Sequence, residues 1–141
     1  MAEKMKAAAV SANGLALADV AVPMPGPEQV LVRVRAVGLN RADLAVAAGH
    51  QHGSTGGIGA IPGIDWTGEV VEVGAGVSQV KRGDRVMCSG SGGYAEYAVS
   101  DMGRTVKLPD NKMSWEVAAT LPVALQTMHN AVVTAGRMKA G

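Results

Sequence analysis

The chain has 141 residues, 48% of them hydrophobic and 18% charged, and a formal net charge of +1. That length gives one domain able to bury roughly two thirds of its unfolded surface, and the balance excludes both a disordered tail and the electrostatic footprint of a nucleic-acid binder. With two Trp, two Tyr and no Phe, no base-stacking platform can be assembled, and the core must come from Val, Leu, Ala and Met. The single cysteine, Cys88, excludes an internal disulfide and fits a reducing compartment, so a cytoplasmic protein is expected. The apolar run at 7–10 is broken by Ser11, Asn13 and Gly14 before it reaches signal-peptide length. No stretch approaches the roughly 20 apolar residues of a membrane span.

Residues 5–10 read as a first strand, Asn13-Gly14 as a hairpin turn and 15–22 as the returning strand. Pro23, Pro25, Gly26 and Pro27 then make a rigid connection, because proline fixes φ and removes an amide donor. In 30–37, Val30, Val32, Val34 and Ala36 fall on one face and Arg33 and Arg35 on the other, the pattern of a half-buried strand. Asn40 is placed to cap a short helix ending at Gly49, with Asp43 in its first turn, where a carboxylate is favourable. The run 50–61, carrying Gly53, Gly56, Gly57 and Gly59, is expected to be a mobile loop of the kind that lies over a site. A Pro62-Gly63 turn leads into a Val-rich strand, Gly74-Ala75-Gly76 stops it, and Gly83-Asp84 restarts a strand at 85–88. Gly68, Gly74, Gly76 and Gly83 mark positive φ or close backbone approach. Gly90 to Gly93 feed one more strand, reaching Val99, and 106–109 is an edge or exit segment. Ser114 caps a short helix through Ala119, and Pro122 opens another whose Leu121, Leu125, Met128 and Val132 share a face, with Gly136 as C-cap. The expected architecture is mainly β: a small, sharply curved, partly open barrel with short helices and a helical end at about 114–136.

Five runs in this order, G-L-N-R-A-D-L from Gly38 to Leu44, P-G-I-D-x-x-G-E-V-V-E-V-G from Pro62, V-K-R-G-D-R-V from Val80, G-G-Y-A-E-Y from Gly92 and L-P-V-A-L-Q-T-x-x-N-A from Leu121, together resemble the medium-chain dehydrogenase/reductase family. They are most similar to its zinc-free quinone oxidoreductase branch. The resemblance implies a GroES-like catalytic domain over 1–141, the substrate side of an enzyme that uses NADPH or NADH to reduce quinones or α,β-unsaturated carbonyl compounds by hydride transfer. Its helical end would lead toward a dinucleotide-binding Rossmann domain. Two glycine runs come near that domain's fingerprint and fail: Gly74-Ala75-Gly76 continues Val77, Ser78, Gln79, and Gly57-Ile58-Gly59 continues Ala60, Ile61, Pro62. The Rossmann domain is therefore expected to be missing from these 141 residues, which alone should not turn over.

In the family's zinc enzymes a Cys stands at the position of Asn40, a His-Glu pair at Ile64-Asp65 and a further Cys at about Val123. Zinc needs thiolate, imidazole or carboxylate donors, and these positions do not supply the set, so no metal is expected. By resemblance Asn40 faces the nicotinamide and the substrate carbonyl and Thr127 contacts the cofactor, with Asp43 as a second catalytic candidate and Leu44, Ile64 and Tyr94 lining the substrate pocket. Each has a structural reading as well: Asn40 as an N-cap, Asp43 as a helix-terminus carboxylate, Thr127 as a hydroxyl bonded back to the preceding turn. By strand parity at most one of Tyr94 and Tyr97 lines a site. His50 and His52 lack a third ligand, and Cys88 reads as an inert core thiol. The competing class is a non-enzymatic GroES-like module that binds a small molecule or self-associates through the exposed apolar residues of the last helix.

Overall fold

The computed structural model describes residues 3–109 and 112–139. The expected hairpin forms first: β1 (Lys4–Ser11) and β2 (Gly14–Ala21) pair antiparallel as a two-stranded sheet. Its turn is shifted from the expected Asn13-Gly14 centre. Ser11 pairs with Gly14, so Ala12-Asn13 are the central residues, and the Ser11 hydroxyl donates to the Gly14 carbonyl at 2.7 Å.

The larger sheet takes the order β6-β3-β4-β5-β7, from β3 (Gln29–Gly38), β4 (Asp65–Val73), β5 (Arg85–Ser89), β6 (Tyr97–Asp101) and β7 (Thr105–Lys107). It curls toward β1 through an isolated bridge between Ala7 and Ala95, with the Ala8 amide donating to the Tyr94 carbonyl at 2.8 Å. The expected alternation on β3 is observed, with Val30 and Val32 buried and Arg33 and Arg35 exposed; Leu31 is buried as well, so the start of this strand is covered on both sides. Val30, Val32, Trp66, Val70, Val86 and Cys88 form the centre of the core. A fully buried valine contributes about 1.5 kcal/mol or more, and the interior is built from many such increments around one tryptophan.

Gly68 shows why β4 needs a residue without a side chain. A Cβ there would collide with the Arg33 carbonyl, and the β3–β4 register is irregular between Val34 and Ala36, beside this point.

Three helices close one end. α1 (Arg41–Ala47) follows β3 directly; α2 (Trp115–Ala119) packs on β3, β4 and β5; α3 (Pro122–His129) packs on β4 and β5 and continues as a π-helical turn over Asn130–Ala135. Ser114 caps α2 by accepting from the Val117 amide at 3.2 Å. The Arg85 guanidinium lies 4.0 Å from the centre of the Trp115 ring and donates to the Met113 carbonyl at 2.6 Å. Thr67, inside β4, donates to the Trp115 carbonyl at 2.9 Å, which locks α2 to the sheet. The glycine-rich run after α1 is pinned at its end, where the Val10 amide donates to the Ala60 carbonyl at 2.9 Å and the Gly59 amide to the Val10 carbonyl at 2.8 Å.

Candidate active-site cleft

The site is built where β3 ends, β4 begins and α3 starts. The β3–β4 register sets Gly38 opposite Asp65, which brings Asn40, two residues on, beside the Asp65 carboxylate. The Asn40 Nδ2 donates to Asp65 Oδ2 at 2.9 Å, and the Val123 amide donates to Asp65 Oδ1 at 2.8 Å. The first amides of a helix have no partner inside it, and Leu121, at the N-cap of α3, supplies no side-chain acceptor. A carboxylate 58 residues earlier in the chain takes that role. Asp65 is 4% exposed and holds Asn40 and α3 together.

The sequence pointed to Asn40 as an N-cap, and its position before α1 is that of one. It forms a capping box with Asp43, and its side-chain nitrogen is directed to Asp65. Asp43 closes the helix start by accepting from the Asn40 amide at 2.9 Å through Oδ2. The same carboxylate accepts from the Gly63 amide at 2.9 Å and from the Tyr94 hydroxyl at 3.1 Å. Asp43 is 3% exposed and has both oxygens engaged. It ties α1 to the Pro62-Gly63 turn and to the turn before β6. At Gly63, φ is +102° and a Cβ would lie 2.6 Å from the Tyr94 ring, so glycine is required. Burial, followed by the charge and hydrogen bond of Asp43, raises the Tyr94 phenol to about 12.

Asn40 and Thr127 line one cleft of about 390 Å³, together with Leu39, Asp65, Val123 and Ala124. The Thr127 hydroxyl makes no hydrogen bond among the described residues, so the back-bond to the preceding turn, its structural alternative, is not formed. Beside this cleft lies a cavity of about 480 Å³ with Val123 in both walls, where Ile64 meets Asp43, His52, Gln126 and Ser89. The Ser89 hydroxyl donates to Gln126 Oε1 at 3.1 Å. Of the three expected pocket residues, only Ile64 is here. Leu44 is 71% exposed and lines neither cavity. Tyr94 precedes β6 instead of lying in it, and its ring borders a separate apolar groove with Ala7, Leu17 and Leu39. Tyr97 is turned away to Arg33, whose Nη2 donates to its hydroxyl at 2.9 Å.

Asp65, Ser89 and Gln126 were missed as site residues. A charge between Ile64 and Trp66, in an otherwise apolar run, was the available signal for Asp65. Cys88, within β5, is buried in the core, and that burial lifts its thiol from 9.0 to about 11. No group of three or more His, Cys, Asp or Glu placed to hold a metal occurs among the described residues. A third glycine run, Gly90-Ser91-Gly92-Gly93-Tyr94-Ala95, has the residues of a dinucleotide fingerprint but connects two strands, β5 and β6, and so does not open a helix as that fingerprint requires.

A fold of this shape has close counterparts. Residues 26–110 match the model of the alcohol dehydrogenase GroES-like domain. The chain belongs to the alcohol dehydrogenase GroES-like domain family. Within the wider medium-chain dehydrogenase/reductases, this GroES-like domain is 37% identical over 125 residues to the quinone oxidoreductase of Rattus norvegicus, a match covering 87% of this chain and 37% of that protein. The quinone oxidoreductase of Coxiella burnetii superposes with a TM-score of 0.79 at 28% identity, over 95% of this chain and 46% of that one. The human synaptic vesicle membrane protein VAT-1 homolog-like protein superposes with a TM-score of 0.87 at 28% identity, over 99% and 46%. The 141 residues thus span less than half the length of these relatives, and they are an oxidoreductase-family domain. No helix among the described residues is long and apolar enough to cross a membrane.

Proposed function

We propose that this GroES-like domain is the substrate side of a zinc-independent oxidoreductase that reduces quinones or α,β-unsaturated carbonyls with NADPH or NADH. The observation that carries the reading is the Asp65 bridge, which places Asn40 and Thr127 on one cleft. A nicotinamide fits the chemistry of that cleft, with Val123 and Ala124 as apolar wall for the ring and the unengaged Thr127 hydroxyl and Asn40 amide as polar partners. When bound, the reduced cofactor supplies a hydride to a quinone carbon or to the β-carbon of an enone. The protein's own part is positioning and charge stabilisation. Asn40, held through one N–H by Asp65, has its second N–H for the substrate oxygen as negative charge develops there, and solvent completes the reduction with a proton. Zinc does not suit this donor set: Asn40 offers an amide, Val123 nothing, and Asp65 already accepts with both oxygens. Asp43 serves as an anchor for α1 and Gly63, which leaves Asn40 as the catalytic residue. The dinucleotide-binding half of such an enzyme lies outside these 141 residues, and a reducing, cytoplasmic setting suits the single thiol.

Titration of the isotope-labelled chain with benzalacetone, a neutral enone, tests the reading by nuclear magnetic resonance. The amide signals of Asn40 and Thr127 should move together; saturation without movement of either overturns it. The chain alone should not accelerate NADPH oxidation by benzalacetone above the protein-free rate. A second reading, self-association, is favoured by Leu125, Met128, Val132 and Val133 on the last helical segments, each between 39% and 57% exposed. Sedimentation of the chain as a stable dimer whose Leu125→Glu variant is monomeric would favour that module.

A further inference from the structure

We infer that the cavity beside the Asn40 cleft selects substrates carrying a carboxylate, recognised by Arg104. The inference rests on the hydride-acceptor reading above and names its substrate class. Arg104 lines the 480 Å³ cavity and also a second one of about 550 Å³; the two share Ser54, Ser89, Gly90 and Ser91 as well. Residues on either side of it are anchored. Met102, two residues earlier, donates from its amide to the Glu28 carbonyl at 3.1 Å, and the Thr105 hydroxyl donates to the Asp101 carbonyl at 2.9 Å. Its guanidinium, by contrast, makes no hydrogen bond or ion pair among the described residues.

That is informative because carboxylates stand in the same walls and are otherwise satisfied. Asp43 accepts from the Asn40 amide, the Gly63 amide and the Tyr94 hydroxyl, and Asp101 Oδ1 accepts from Gln29 Nε2 at 2.8 Å. Among the described residues the exposed Arg104 is thus a planar fork of N–H donors without a partner, and Ser54, Ser91 and His52 belong to the same cavity lining. A guanidinium matches a carboxylate in two parallel hydrogen bonds, and hydroxyls complete the oxygens' remaining acceptor sites. Val123 walls both the Asn40 cleft and this cavity, so a molecule with its carbonyl at Asn40 would reach Arg104 by passing Val123.

The test compares benzalacetone with para-carboxybenzalacetone on the isotope-labelled chain, and on its Arg104→Gln, Arg104→Lys and Arg82→Gln variants. Arg82 is exposed and outside both cavities, so it controls for net charge. The carboxylated enone should bind about tenfold more tightly, with shifts at Asn40 and at Arg104 together. Arg104→Gln should abolish that preference, Arg104→Lys should keep part of it, and Arg82→Gln should leave it intact. Equal affinities with Asn40 still shifting would overturn the carboxylate preference and leave the hydride-acceptor reading standing. Binding at Arg104 that leaves Asn40 and Thr127 unmoved would do the reverse, and binding of neither compound overturns both.

Discussion

At the residue scale, Asp43 shows how one side chain organises three segments. Its oxygens take donors from the residue that caps α1, from the turn before β4 and from the turn before β6, which are 20 and 51 residues away for the last two. Removing a buried acceptor strands its donors, and each stranded donor costs on the order of 1–3 kcal/mol. Asp43→Ala should therefore destabilise the domain by about 3 kcal/mol in chemical denaturation, and Tyr94→Phe by about 1 kcal/mol, because it removes one donor and strands nothing. If Asp43→Ala costs no more than Tyr94→Phe, the anchoring role is wrong and Asp43 is free for chemistry. Sequence spacing identified Asp43 as a first-turn carboxylate, which is correct locally. Its other two partners come from segments that only folding brings near.

At the element scale, the start of α3 depends on a strand. Pro122 at N1 was legible as a helix opener, since its missing amide costs nothing there. The acceptor for the next amide was not, because Leu121 carries none and Asp65 lies in β4. Asp65→Ala should loosen α3 and release Asn40. We expect a loss of about 2 kcal/mol in thermal denaturation and faster hydrogen exchange at the Val123 amide, while exchange in β3 remains that of the parent. Unchanged protection at Val123 would show that the bridge does not hold the helix. The strands themselves were read well: β3, β4 and β5 fall where Val-rich alternation and Gly-Asp or Pro-Gly turns place them. The misplacements are small and local, such as the hairpin centred on Ala12-Asn13 and the strand that starts at Tyr97 instead of before Tyr94.

At the scale of the whole molecule, Asp84 links the turn before β5 to the edge strand. It accepts from Lys107 Nζ at 2.8 Å and from the Lys81 amide at 3.0 Å, and these bonds, the Lys107 contact first, hold its carboxyl below the ordinary value of 3.8. A carboxylate whose pKa is lowered by folding stabilises the folded state above its unfolded value, and the contribution disappears as pH falls through the folded value. Asp84→Asn should thus cost on the order of 1 kcal/mol at pH 7, since Lys107 is largely solvated, and the difference should vanish on acidification below the ordinary carboxylate range. A pH-independent difference would assign the effect to packing.

The sequence by itself determined the mainly β architecture, the order of strands and helices and the family motifs. Those signals are local, arising from side-chain alternation, turn residues and caps within a few positions. Only the tertiary structure decided which polar groups meet. The Asn40–Asp65–Val123 bridge, the engagement of Asp43 by Gly63 and Tyr94, and the unpaired Arg104 at two cavities all depend on how a curled sheet and three short helices approach one another. Hydrogen-bond partners 20 to 58 residues apart leave no periodic trace in the chain, because only the fold's closure, driven by burial of the Val and Trp66 core, brings them within hydrogen-bonding distance.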